Sequence, residues 1–404
     1  MSSTLAPGSG PTITHDSSAW KLVGGEMARP VFDDDHQAFR ESVRRFLERE
    51  IAPHEPQWER DRDVPREALL KAGAAGFLGM AVPEEHGGAG IDDFRFNAVL
   101  GEEVVRADCR GLGAALMLHN DVALPYLLSF ANAEQQARWL PGCASGEILL
   151  AIAMTEPGTG SDLQSIATTA VRDGDHYVVN GAKTFITNGL NSDLVITAVK
   201  TDAGLSLLGI ERGTPGFERG RKLEKLGMHS NDTAELFFQD ARVPVENLIG
   251  EEGMGFMYLI QKLAQERLTL TLNATAGAEA ALGMTIDYVR ERKAFGRSIG
   301  QFQNTRFTLA ELKTECVKAR LFADWQLAQH VEGQLSIEHA AMGKYSSTDL
   351  LCRVVDEGVQ LHGGYGYMTE YPIARAYVDA RITKIFAGTN EIMKEIIGRG
   401  MDLG

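Results

Sequence analysis

Apolar residues recur at steps of three and four over the first third of the chain, which is the spacing of an amphipathic helix. A helix that starts behind the acidic run 33–35 places its apolar side chains on one face, and Pro53 marks its end. Further helices are predicted over about 66–75, 94–107, 114–130 and 133–145. Together these segments predict an N-terminal helical domain over residues 33–148.

The hydrophobic period changes near Leu149, where short apolar runs typical of strands begin. The runs cover residues 177–179, 184–187, 194–199, 205–210 and 234–238. Asn180-Gly181 stands between two of them and predicts a tight hairpin turn. The sequence therefore predicts a small middle β domain over residues 149–252.

Helical spacing returns at about Gly255 and continues to Arg399, which predicts a C-terminal helical domain over residues 253–404. The elements are thus segregated as helices, strands and helices, an order that argues against an alternating βαβ nucleotide-binding fold. The predicted fold class is α+β and mostly helical. Residues 1–32 are expected to form a flexible leader that is neither a secretory signal nor a transit peptide.

Composition narrows the classes of partner. The 404 residues carry a formal net charge of −15, which argues against nucleic acid as the main partner. No apolar run is long enough to predict a membrane span. The four cysteines form no C-x-x-C pair and predict reduced thiols in a cytoplasmic protein. No zinc-type histidine spacing, dinucleotide-binding glycine motif or P-loop occurs, and no metal site is expected.

The segment 154–162 reads Met-Thr-Glu-Pro-Gly-Thr-Gly-Ser-Asp and resembles the flavin-binding signature of acyl-CoA dehydrogenases. Proline and two glycines make a turn whose backbone can approach a flat ring closely. Taken alone, a glycine-rich turn of this kind would favour a plain surface turn. The resemblance implies cofactor contacts from Met154, Thr155, Gly160 and Ser161.

Other segments extend this resemblance over roughly 33–399. Residues 183–189 resemble the family strand that packs on the flavin, so that Phe185 covers one ring face, Ile186 adjoins it and the Thr187 hydroxyl approaches N5. Many members carry Trp where this chain has Phe185. The stretches 222–236, 265–268 and 371–381 resemble the long-chain branch of the family.

Three further segments in the resemblance concern a cofactor shared between subunits. Arg292, Phe295 and Gln303 resemble the segment that reaches the pyrophosphate of a neighbouring subunit's FAD, a role that suits the forked donors of arginine. The glycine-rich turn after 359 resembles the part that packs on the adenosine of that FAD, through Gln360, Leu361, Gly363 and Gly364. Thr389 and Glu391 resemble the helix start that holds the phosphates within one subunit. The resemblance thus implies a homotetramer built as a dimer of dimers.

The catalytic base is identified by an absence. Many family members carry a Glu immediately before the Gly-Thr pair near the C-terminus, where this chain has Ala387. Long-chain and isovaleryl members instead place the base in a Glu-Arg pair on an earlier helix, and Glu266-Arg267 matches that pair. Arg267, Ser161 and the Ala387-Gly388 turn are then expected beside the substrate, with the Ala387 N–H as a donor to the thioester oxygen.

The resemblance implies an N-terminal helical domain, a β-barrel-like middle domain and a C-terminal four-helix bundle. It implies FAD-dependent α,β-dehydrogenation of a fatty acyl-CoA to the trans-2-enoyl-CoA, with electrons passed to an electron-transferring flavoprotein. Three alternatives stay open. They are a branched-chain dehydrogenase of isovaleryl or citronellyl type, a flavin oxidase or monooxygenase on the same fold, and a non-enzymatic paralogue. The acyl chain length is not readable from the sequence.

Overall fold

The structure, a computed structural model, describes residues 27–401, so residues 1–26 of the predicted leader lie outside it. The chain divides into two compact units. The sheet unit comprises residues 39–100 and 109–266. The bundle unit comprises, of the described residues, 27–38, 101–108 and 267–401.

The segments predicted to be helical before residue 149 are helical in the structure. The helices in this part of the chain are α1 Asp34–Phe46, α2 Glu55–Asp61, α3 Arg66–Ala74, α4 Phe94–Arg106, α5 Arg110–Met117, α6 Leu124–Phe130 and α7 Ala133–Ser145, of which α2 was not predicted. The single helix expected over 114–130 is α5 and α6 joined by a π-helical segment, Leu118–Ala123. Pro125 lies in the first turn of α6, where its missing N–H is tolerated.

The middle segment forms one seven-stranded sheet in the order β1-β4-β2-β3-β7-β6, with β5 paired to β4. The strands are β1 Leu150–Ala153, β2 Thr169–Asp173, β3 His176–Thr187, β4 Leu194–Thr201, β5 Gly204–Glu211, β6 Phe217–Lys222 and β7 Thr233–Pro244. Most pairs are antiparallel, whereas β1 and β2 each pair with β4 in parallel. Segregation of helices and strands is therefore confirmed.

The hairpin turn predicted at Asn180-Gly181 is wrong. Both residues lie inside β3, and the chain turns instead between β2 and β3, at Gly174. The glycine serves a β-bulge, because the pairing of β3 with β7 shifts register between Val179 and Gly181. Gly181 has φ 151°, and a Cβ there would lie 2.4 Å from the Thr168 hydroxyl oxygen. Glycine is thus required by backbone geometry and close approach rather than by a turn.

The core of the sheet unit is built from the inward faces of the strands and of α7. Trp139 of α7 is buried in the same apolar cluster as Leu194, Ile196 and Leu207 of β4 and β5. Its indole N–H donates to a Glu211 carboxylate oxygen at 2.7 Å, so its polar edge is satisfied.

The bundle unit contains the long C-terminal helices. They are α8 Gly255–Glu291, α9 Gln303–Val331, α10 Ile337–His362, α11 Pro372–Ala380 and α12 Asn390–Gly400. The boundary between the units falls inside α8, after Glu266. A short hairpin, β8 Lys293–Ala294 with β9 Arg297–Ser298, joins α8 to α9.

A buried charge cluster lies inside the bundle unit. Arg320 donates to both oxygens of Glu279 at 2.8 and 2.7 Å and to Glu102 at 2.6 Å. Arg29 donates to both oxygens of Glu102 and to both oxygens of Asp324. Each buried charge therefore meets an opposite charge with forked geometry, which offsets the loss of hydration. Among residues 27–401, no helix combines the length and apolarity needed to cross a membrane.

The bulge at Gly181 predicts a large effect of a single methyl group. We expect Gly181→Ala to lower the free energy of unfolding by about 3 kcal/mol, because the new Cβ overlaps Thr168 and the backbone conformation is strained. Gly174→Ala is the matched control, since Gly174 has φ 63° but no atom within 4 Å of a Cβ. It should lose only about 1 kcal/mol. Equal losses in denaturant unfolding would contradict the bulge geometry.

Candidate functional site

The turn at 154–162 and the end of β3 lie side by side in the sheet unit. The N–H of Thr184 donates to the carbonyl of Thr155 at 2.9 Å. The buried Lys183 ammonium donates to the carbonyl of Met154 at 3.1 Å and to a Glu156 carboxylate oxygen at 2.8 Å. Two segments that the sequence singled out separately are therefore joined through backbone oxygens.

Phe185 projects outward from this junction. Its side chain is 68% exposed, although its neighbours Thr184 and Ile186 are buried. Its φ of 60° is left-handed and coincides with a second register shift in β3, between Lys183 and Ile186. A bulky residue in this conformation is strained and persists only where the surroundings hold it. A large aromatic ring is thus held at the surface, beside the Thr155 turn.

Glu156 and Lys183 form the ion pair that holds the junction. Burial alone would raise the pKa of Glu156, but hydrogen bonds from Lys183, Thr168 and the N–H of Ala167 outweigh it and lower the pKa to about 2. Burial lowers the pKa of Lys183 to about 8, and the Glu156 carboxylate opposes that shift. Both groups are charged at neutral pH, as the hydrogen bonds require.

Glu266 is buried, with 4% of its surface exposed. It lies on α8, and the Tyr126 hydroxyl of α6 donates to its Oε1 at 3.1 Å. Burial raises the pKa of Tyr126 well above its ordinary value, and the nearby carboxylate raises it further, so the phenol stays protonated and donates. The neighbouring acid Glu251, by contrast, is exposed.

The bundle unit contains a pocket of about 470 Å³ in which two distant predicted segments meet. Its lining includes five predicted residues, namely Arg292, Gln360, Leu361, Gly363 and Gly364. The ring of Tyr288 stacks on His362 at 4.0 Å and its hydroxyl donates to the His362 carbonyl. These contacts hold Tyr288 and His362 together. The lining also places the guanidinium of Arg292 beside Gly363 and Gly364, where a ligand can approach the backbone closely.

Phe295 and Gln303 do not line that pocket. Phe295 lies with Gly296 at the tip of the β8–β9 hairpin, and both residues have positive φ, as a two-residue hairpin turn requires. Phe295 is 95% exposed, and Gln303, the first residue of α9, is also exposed. Both side chains therefore face away from the interior of their own chain.

The segment before α12 makes an unusual turn. Ala387 and Gly388 have φ of 50° and 87°, two consecutive left-handed residues. Thr389 caps α12 by accepting a hydrogen bond from the N–H of Ile392, and Glu391 is exposed in the first turn. Neither Thr389 nor Glu391 lines the pocket at Arg292. Arg267 is buried in the same unit.

Sequence reasoning missed several residues that hold these features. Tyr126, Tyr288 and Lys344 received no role, and Lys183 and Glu156 were quoted only within motifs. A signal existed for Lys344, which stands on a helical stripe of otherwise small or apolar residues in α10. No comparable local signal marks Tyr126, because its partner is 140 residues away.

Three family models match nearly the whole chain. The acyl-CoA dehydrogenase N-terminal domain matches residues 33–147, the middle domain matches 151–241 and the C-terminal domain matches 253–401. The chain therefore belongs to the acyl-CoA dehydrogenase family of oxidoreductases, whose members use a flavin.

Individual relatives are similar to this chain in sequence and in structure. The mitochondrial long-chain specific acyl-CoA dehydrogenase of Mus musculus is 47% identical over 95% of this chain and 90% of its own length. The mouse short-chain specific enzyme is 36% identical over 94% and 92%. The crystal structure of an acyl-CoA dehydrogenase from Geobacillus kaustophilus is 48% identical, with a TM-score of 0.91 over 93% of this chain and all of that one.

The Glu156–Lys183 pair makes a prediction about stability. We expect Glu156→Gln to lower the free energy of unfolding by about 3 kcal/mol, because Lys183 would remain buried without its charged partner. Adding Lys183→Met should recover part of this loss, since no uncompensated charge then remains. A double variant as unstable as the sum of the two single variants would contradict the coupling.

The same ion pair should also make the free energy of unfolding depend on pH in the acid range. The pKa of Glu156 is about 2 in the folded protein and near 4.5 when unfolded, so its contribution is complete above about pH 4.5 and is lost as the pH falls towards 2. Glu156→Gln should lack this part of the pH dependence when unfolding is compared across that range.

Proposed function

We propose that the protein catalyses FAD-dependent α,β-dehydrogenation of a fatty acyl-CoA to the trans-2-enoyl-CoA, with Glu266 as the base that removes the α-proton. The observation that carries this proposal is the buried Glu266 carboxylate, held by the Tyr126 hydroxyl, in a chain that has Ala387 where many relatives have their base. Family membership supplies the reaction class.

The residues present fit an FAD. Phe185 offers an exposed aromatic face beside the Thr155 turn and the Thr187 hydroxyl, which suits a flat ring system. The pocket at Arg292 combines a guanidinium with Gly363 and Gly364, which suits a phosphate-bearing nucleotide. When bound, FAD supplies the acceptor for the hydride that leaves the β-carbon.

Glu266 supplies the proton acceptor. The α-proton of a thioester is weakly acidic, so the carboxylate must be fixed and kept from water before it reacts. Burial removes water, and the Tyr126 hydrogen bond occupies one carboxylate oxygen. The Tyr126 hydroxyl thus orients the carboxylate that accepts the α-proton in this proposal, which makes Tyr126 a positioning residue.

The Ala387-Gly388 turn supplies a donor for the charge that develops on the thioester oxygen. A fixed backbone N–H aimed at such an oxygen is worth about 3 kcal/mol in comparable sites. Both residues have left-handed φ, a conformation that the residues of the following helix do not share. Arg267 and Ser161 complete the substrate contacts in this proposal.

The same proposal extends to assembly and electron transfer. Phe295 and Gln303 are exposed on their own subunit and the pocket at Arg292 stands apart from Thr389, which supports a cofactor shared between neighbouring subunits of a homotetramer. The family resemblance makes an electron-transferring flavoprotein the acceptor of the electrons.

The substrate class is tested by anaerobic titration of the purified yellow protein with straight-chain and branched acyl-CoAs. Straight-chain thioesters should bleach the flavin absorbance at stoichiometric amounts. Bleaching by isovaleryl or citronellyl thioesters alone would favour a branched-chain enzyme. Rapid reoxidation by air with product bound would favour an oxidase, and no bleaching by any thioester would refute a dehydrogenase.

Replacement of the base gives a sharper test. Glu266→Gln keeps the volume and the Tyr126 contact but removes the proton acceptor, so flavin reduction by substrate should slow by about 10³-fold or more. FAD content should stay as in the unmodified protein. Glu251→Gln is the matched control, an exposed acid that should leave the rate unchanged. Near-normal reduction in Glu266→Gln would exclude Glu266 as the base.

A further inference from the structure

The proposed reaction assigns no role to the buried ammonium of Lys344. Lys344 of α10 has no exposed surface, although lysine is rarely buried without a compelling set of partners. Its ammonium donates to the carbonyl of Gly388 at 2.7 Å and to the side-chain oxygen of Asn390 at 2.9 Å. Both acceptors belong to the turn and helix start that follow Ala387.

Both the oxygen and the nitrogen of the Asn390 side-chain amide make hydrogen bonds. Its amide nitrogen lies within hydrogen-bond distance of three acceptors that share its two hydrogens: the Thr348 hydroxyl at 3.0 Å, Asp349 at 3.0 Å and the Tyr345 carbonyl at 3.3 Å. Thr348 is buried on the same face of α10 as Lys344. Helix α10 therefore holds the Ala387-Gly388 turn through the contacts of Lys344 with Gly388 and Asn390.

The Ala387-Gly388 turn has an unfavourable backbone conformation and therefore needs stabilising contacts. A left-handed alanine is disfavoured by roughly 1 kcal/mol or more, and Ala387 adopts this conformation directly before a left-handed glycine. A Cβ at Gly388 would lie 2.8 Å from the Met393 methyl carbon, so any side chain there would require the methionine to move. Without Lys344, the carbonyl of Gly388 would lose a charged donor inside the protein.

Lys344 also adds positive charge beside this turn. Burial, and after it the charge of Arg267, lower the pKa of Lys344 to about 8, although Asp349 and Glu391 oppose the shift, so Arg267 is a second cation near Lys344. Placing like charges together is unfavourable for folding alone. It is favourable where negative charge develops during a reaction.

We propose that Lys344 is a positioning residue of the acyl-CoA site, which fixes the Ala387-Gly388 turn so that the Ala387 N–H can stabilise an enolate oxygen. This inference rests on the proposed function. It predicts that Lys344 matters for ligands that carry negative charge on the thioester oxygen and not for ligands that lack that oxygen.

The test compares two ligands of equal chain length on the flavin-loaded enzyme. A 3-oxoacyl-CoA, 3-oxododecanoyl-CoA, has an acidic α-carbon and binds as an enolate, which gives a long-wavelength charge-transfer band with oxidised flavin. The thioether S-dodecyl-CoA has the same tail but no carbonyl oxygen. Binding of each is measured by titration of the flavin spectrum.

We expect Lys344→Met to weaken 3-oxododecanoyl-CoA binding by about 30-fold, a large part of the effect of one oxyanion donor, and to diminish the charge-transfer band. S-dodecyl-CoA affinity and FAD content should be unchanged. Lys394→Met is the matched control, because Lys394 is exposed on α12 beyond the same turn and should leave both ligands unaffected.

Equal loss of both ligands, or no loss of either, would overturn the role of Lys344. If Lys344→Met does not fold, the isosteric Thr348→Val decides in its place, because it removes a partner of Asn390 without removing a charge. A selective, smaller loss for 3-oxododecanoyl-CoA supports the inference, and an unselective result overturns it. Failure of the unmodified enzyme to bind either ligand would instead refute the proposed function.

Discussion

A buried ammonium group must keep its hydrogen-bond acceptors, and this requirement holds both turns on which the candidate site depends. Lys183 donates to the Met154 carbonyl and to Glu156, and Lys344 donates to the Gly388 carbonyl and to Asn390. In each case one acceptor is a backbone oxygen of a turn with strained or glycine-rich geometry. Losing such a contact would leave a buried charge without a partner. The free-energy cost of that loss exceeds the cost of the turn's strained backbone conformation, so the contact keeps the turn in place.

Two of the left-handed residues of the described chain lie where chemistry is proposed. Phe185 is left-handed in a strand bulge, and Ala387 is left-handed before a helix. Neither conformation would be selected by the local sequence, since bulky and β-carbon-bearing residues avoid it. Strained residues that persist at exposed or ligand-facing positions are typical of preorganised sites. The strained Phe185 holds an exposed aromatic ring at the surface of the sheet unit, and the strained Ala387 lies in the turn proposed to contact the thioester.

The two carboxylates of the sheet unit illustrate how surroundings assign different work to the same group. Glu156 accepts from an ammonium and from backbone N–H groups, which hold it ionised and make it structural. Glu266 accepts from the Tyr126 hydroxyl, a phenol that stays protonated and orients the carboxylate.

The sequence alone determined the order of helices and strands, because hydrophobic period is a local property that 10 to 15 residues express. It also determined the family, and through the alanine at 387 it directed attention to Glu266. The turn predicted at Asn180-Gly181 was wrong, because the local sequence does not distinguish a glycine required by a bulge and by the close approach of Thr168 from one required by a turn. Only the tertiary structure decided that Tyr126 holds Glu266 and that Lys344 holds the Gly388 carbonyl. Partners 140 and 44 residues apart are brought together by packing, and no local pattern encodes which buried polar group will meet which.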